Sequence, residues 1–205
     1  MKRSLYWMSL LGLVGCSGGS SEGEAQAPSR VAAVTTTSAA KEENALKWCD
    51  ISFEKADAPA LRLPGLEAAR TGKSVPSVQE DRWTWINLWA TWCGPCKKEM
   101  PLIAKWESQL KEEGVPFDLW YMSVDEDAAA LQEYLTKNPN LVNDNAVRLT
   151  STPELETWLK GYKVEGSPSI PIQVLAGPGG KVRCLKLGQV HESDFHTLKT
   201  LMKTG

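Results

Sequence analysis

WINLWATWCGPCKKEMP, residues Trp85 to Pro101, decides how the rest of the chain is read. An apolar run ends in Trp92-Cys93-Gly94-Pro95-Cys96, and a charged helical start follows. A CxxC pair that closes a buried strand and opens a helix reads as a redox motif. The thiolate is the reactive form of cysteine. A helix N-terminus stabilises negative charge through its unpaired N–H groups and dipole. That position lowers a thiol pKa from ~8.5 to roughly 3.5–7.5. Two intervening residues set the second sulfur about one turn on, where it can attack a mixed disulfide formed at the first. Cys93 is therefore the expected nucleophile and Cys96 the resolving thiol.

The remaining sequence fits an exported domain. Lys2 and Arg3, an apolar stretch and the closing Leu13-Val14-Gly15 read as a signal peptide over residues 1–15. The stretch is too short for a typical membrane span. Of five cysteines, setting Cys16 aside leaves an even number, as suits an oxidising compartment. Cys93 and Cys96 form the redox pair. Cys49 and Cys184 either make a structural disulfide or stay unpaired, since sequence does not give their separation. The net charge of −2 gives no sign of a nucleic-acid partner, and 42% apolar residues suffice for a packed core. Nine tryptophans read mostly as core filling, while Trp92, beside the nucleophile, is expected to border the site.

Residues 17 to about 44, rich in Ser, Gly, Ala and Thr, lack apolar periodicity and read as a flexible leash, with roughly 30 Å of reach. The folded domain is expected over 46–205, with extended pieces before residue 82 and a helical turn near Leu66–Arg70. Trp83–Ala90 suits a central parallel strand covered on both faces. A helix is expected from Cys93 to Glu113, bent at Pro101 and ended by Gly114. Phe117–Val124 reads as a strand, Asp127 as a helix cap, and Thr152-Pro153 as a helix start. Ile172–Ala176 and Lys181–Leu187 read as a hairpin across Gly177-Pro178-Gly179-Gly180, with a last helix capped by Ser193.

NLWATWCGPCKKEMP resembles the thioredoxin superfamily, in its TlpA/ResA-like branch of extracytoplasmic thiol–disulfide oxidoreductases. The resemblance implies an α/β thioredoxin-like fold, a central mixed sheet flanked by helices, with an N-terminal β-hairpin extension. It implies a cis-proline opposite the CxxC, where the preceding residue pairs with a client chain. Ile170–Pro171 is preferred to Pro168, because Pro168 would leave Pro171 inside a strand that needs its N–H. Thioredoxin carries a buried Asp six residues before its first Cys; Asn87 stands there and cannot take a proton. In the ResA-like branch a Glu three residues after the second Cys is a candidate proton acceptor, here Glu99. Its bland reading is a solvated helix carboxylate beside Lys97 and Lys98.

Leu13-Val14-Gly15-Cys16 resembles a bacterial lipobox, which implies lipid on Cys16 and a domain held in the periplasm. Ser17, where an Asp would signal inner-membrane retention, leans towards the outer membrane. The implied clients are disulfide-containing exported proteins, in cytochrome c maturation or copper-site assembly. The implied electron source is a membrane thiol carrier. Gly-Pro between the cysteines favours a reductant, and a monomer is expected with no cofactor and no resident metal. The competing function is a Cu(I) carrier using the CxxC thiolates and His191, although Sco-type copper chaperones carry CxxxC. A four-cysteine zinc site is disfavoured because Cys49 and Cys184 are isolated. An intact WCGPC argues against a vestigial scaffold.

Overall fold

The computed structural model describes residues 30–166 and 169–205. The signal segment, Cys16 and Pro168 lie outside the described residues. Seven strands form one mixed sheet in the order β1-β7-β6-β3-β4-β5-β2. At its centre β3 (Trp83–Trp89) runs parallel to β4 (Phe117–Ser123), pairing Trp85 with Leu119. On its other side β3 runs antiparallel to β6 (Ile172–Gly177), pairing Leu88 with Ile172. All seven residues of β3 are buried, as a strand covered on both faces must be. β6 turns back into β7 (Lys181–Leu187) through Gly179 and Gly180, whose φ of +78° and +62° the hairpin requires.

The helix α2 (Gly94–Glu112) follows β3, runs through Pro101 and stops before Gly114, whose φ is +70°. Its buried stripe is Cys96, Glu99, Met100, Ile103, Trp106 and Leu110. Asp127 caps α3 (Ala128–Lys137) by accepting from the N–H groups of Ala129 and Ala130. The helix α4 (Thr152–Lys160) begins at Thr152-Pro153, and α5 (Phe195–Thr204) buries Leu198, Leu201 and Met202. Trp83, Trp85, Trp89, Trp106 and Trp120 are among the largest fully buried side chains.

Several expectations need correction. The supposed leash is helical from Arg30: α1 (Arg30–Leu46) packs along α5. Alanine favours helix, and an alanine-rich stretch without apolar periodicity gives no amphipathic signal. Ala45 and Leu46 are buried, and Glu42 pairs with the buried Arg183 of β7. The folded body therefore starts before residue 46.

The N-terminal hairpin is absent among the described residues. β1 (Ile51–Ser52) adds antiparallel to β7, whereas β2 (Leu66–Ala68) adds antiparallel to β5 (Ala146–Leu149). The two strands occupy opposite edges, so the segment between them crosses from one edge to the other. The helical turn expected at Leu66–Arg70 is instead this edge strand, because β5 offers free ladder groups to it. Ser193 does not cap the last helix. It lies in a short 3₁₀ turn (Glu192–Asp194), where the Asp194 carboxylate accepts from the His191 N–H at 2.8 Å.

Candidate active site

The site forms where β3 ends. Thr91 leaves the strand and is tied to Asp125, just beyond β4. The Asp125 carboxylate accepts from the Thr91 N–H at 3.0 Å and from its hydroxyl at 2.6 Å. Ser123 Oγ donates to the same carboxylate at 2.7 Å. Arg148 on β5 braces that loop through the carbonyls of Asp125 and Glu126 at 3.1 Å. These contacts fix the direction in which the chain enters Trp92-Cys93.

Cys93 is the N-cap of α2, with extended φ, ψ of −82° and 103°. Pro95 sits in the first turn, where its missing N–H costs nothing. The Cys96 N–H donates to Cys93 Sγ at 3.2 Å. The two sulfurs form a disulfide of 2.01 Å with Cα atoms 5.3 Å apart. Cys93 keeps 5% exposure and Cys96 none, so Cys93 is the less deeply buried of the two.

The peptide bond Ile170–Pro171 is cis. Cys93 Sγ lies 3.8 Å from the Ile170 carbonyl oxygen, so this loop stands directly against Cys93. Trp92 is 68% exposed, unusual for an indole. It borders an open cleft of about 590 Å³ with Val124, Glu126, Ala130, Leu155 and Ile170. Cys49 and Cys184 are joined by a second disulfide, Cα to Cα 5.4 Å, which ties the turn between α1 and β1 to β7.

Glu99 is buried to 1% exposure, unlike a solvated helix carboxylate. Its Oε1 accepts from Asn87 Nδ2 at 2.8 Å and Gln173 Nε2 at 2.9 Å, and its Oε2 from the Val190 N–H at 2.8 Å. Burial pushes its carboxyl up to about 7, against the opposing pull of those three donors. Lys97 lies near the Tyr134 ring, 5.6 Å from its centroid, and Lys98 is exposed. His191 and His196 are exposed as well. Among the described residues no group of three or more His, Cys, Asp or Glu side chains is placed to hold a metal.

Asp125 and Gln173 escaped the sequence reading. Gln173 is a polar residue in the otherwise apolar strand Ile172–Ala176, and that break in pattern was its signal. Asp125 directly follows the buried strand that ends at Val124.

Residues 54–198 match the Redoxin family. The chain belongs to it. This redoxin is 30% identical over 153 residues to the thiol–disulfide oxidoreductase ResA of Bacillus subtilis strain 168, covering 74% of this chain and 77% of that one. Among solved structures, it is similar to a thioredoxin-related protein of Neisseria meningitidis serogroup B. That likeness has 26% identity and a TM-score of 0.53, and covers 69% of this chain and 100% of the other. A DsbF homologue of Corynebacterium diphtheriae, at 19% identity and TM-score 0.56 over 75% of this chain and 91% of its own, shares the fold. The redoxin is thus a thiol–disulfide oxidoreductase of the TlpA/ResA-like branch, with a thioredoxin-like fold.

Proposed function

We propose that Cys93 and Cys96 are the redox-active pair and that the protein works as a reductant of disulfides in exported proteins. One observation carries this reading: Cys93, slightly exposed, caps α2, with the fully buried Cys96 within bonding distance. In the dithiol form the Cys93 thiolate attacks a client disulfide, and one client thiolate leaves. Cys96 gives its proton to Glu99 and attacks the Cys93 sulfur. The mixed disulfide breaks, the second client thiolate leaves, and Cys93–Cys96 forms. Two electrons have passed to the client, and a membrane thiol donor must return them.

Ile170 and Pro171 would pair with the client backbone, and Trp92 would cover its side chains. Cys49–Cys184 would serve as a structural cross-link. Clients of the cytochrome c maturation or copper-site assembly type fit the resemblance. An envelope location, tethered through lipid on Cys16 with a preference for the outer membrane, fits the N-terminal sequence. Among the described residues no helix is long and apolar enough to cross a membrane. The protein is taken to act as a monomer.

Reduction of insulin by the purified chain tests the proposal, with Cys93→Ser as control. Activity that vanishes in the variant supports it. No activity, together with stoichiometric Cu(I) binding, would favour a metal carrier instead.

A further inference from the structure

Glu99 does not meet its surroundings alone. Gln173 Oε1 accepts from Trp85 Nε1 at 2.9 Å and from Asn87 Nδ2 at 3.2 Å. An indole nitrogen can only donate, so the Gln173 carbonyl must face Trp85. The Gln173 NH₂ is thereby turned onto Glu99 Oε1. A flipped amide would set donor against donor at Trp85 and acceptor against carboxylate at Glu99. Asn87 is constrained in the same sense, because its NH₂ faces two oxygens. Its own carbonyl is left buried with no partner among the described residues, although burying an unpaired acceptor is unfavourable. The cluster thus tolerates one unmade hydrogen bond while keeping two amide donors aimed at a single carboxylate oxygen.

We propose that Gln173, held in one orientation by Trp85, is a positioning residue that sets the proton affinity of Glu99 and so the pH at which the resolving step works. The proposal rests on the reading of Glu99 as proton acceptor for Cys96. Among the described residues no cation pairs with Glu99; burial acts on it against its three hydrogen bonds. Among the described residues the titratable groups facing it are Tyr121 on β4 and, three residues earlier on its own helix, Cys96. The Tyr121 phenol is pushed up by burial and by the charges of Glu107 and Glu99. From the remaining sides it meets the neutral side chains of Asn87 and Gln173 and the Val190 backbone. Hydrogen bonds to a carboxylate favour its charged form, so losing the Gln173 donor must raise its pKa.

The test is a titration of the Glu99 carboxyl carbon by NMR in the full chain, paired with the pH profile of mixed-disulfide release. In Gln173→Met, similar in volume and without the amide, both midpoints should rise by about one unit. The rate lost at neutral pH should return as the pH passes the new midpoint. Trp85→Phe, which frees the amide to turn, should give a smaller shift of the same sign. Should Gln173→Met slow release equally at all pH, with the carboxyl midpoint unmoved, Gln173 is structural only and the proposal is overturned. Glu99→Gln separates the two ideas. If it leaves the wild-type release profile intact, the acceptor reading fails, while the carboxyl titration still decides whether Gln173 tunes Glu99.

Discussion

Cys93 combines slight exposure with a helix N-cap, and Cys96 combines full burial with a place one turn later. This asymmetry predicts different defects. Cys93→Ser should abolish insulin reduction, whereas Cys96→Ser should trap a client mixed disulfide visible on non-reducing gels. Glu99 gives a prediction about stability. Its folded pKa of about 7 stands above the ~4.3 of an unfolded Glu. Between those values the native state keeps a proton that the unfolded state has lost. Stability therefore falls as pH rises through that window, by on the order of 3 kcal/mol in all. Urea unfolding at intervals from pH 4 to 8 should show this slope in the wild type, and Glu99→Gln should lack it. Equal slopes would contradict the buried, proton-retaining carboxyl. The burial of Glu99 could not be read from a helix start bearing two lysines. It follows from β6 and the Val190 loop closing over that face, which is a long-range fact.

At the scale of elements, the central pieces were legible and the margins were not. Strand β3, helix α2 and the β6–β7 hairpin declare themselves through continuous apolar runs, a helix start and a glycine turn. Strands β1 and β2 are two and three residues long, too short for any period, and exist only because β7 and β5 offer them ladder groups. Helix α1 escaped because its stretch carries no apolar period; Glu42, Ala45 and Leu46 are its buried residues among the described side chains. Arg183 is 3% exposed and paired with Glu42, with Lys55 on the other carboxylate oxygen at 3.3 Å. Removing Glu42 leaves that guanidinium uncompensated, so Glu42→Ala should destabilise by about 3 kcal/mol in urea unfolding. The Cys49–Cys184 bond spans 135 residues. By chain entropy its loss in the double Cys→Ala variant should lower stability by up to about 5 kcal/mol. The Cys93–Cys96 pair stays intact in that variant, so insulin reduction should survive wherever the protein remains folded.

Across the whole molecule, the sheet order sets β3 between β4 and β6. That single arrangement brings together the end of β3, the loop braced by Asp125, and the cis Ile170–Pro171 bond at the start of β6. The cysteine pair could be named from local sequence, because its chemistry depends on a strand end and a helix start that are contiguous. Trp92, Glu99 and Ile170–Pro171 could be named too, from position and resemblance, but Asp125 and Gln173 could not, because they come from beyond β4 and from β6 to contact Thr91 and Glu99. The most direct measurement is the pH dependence of Cys93 alkylation in the protein reduced at its CxxC pair. A thiolate held by the start of α2 should show a midpoint within roughly 3.5–7.5. A midpoint near ~8.5, that of free cysteine, would contradict the account.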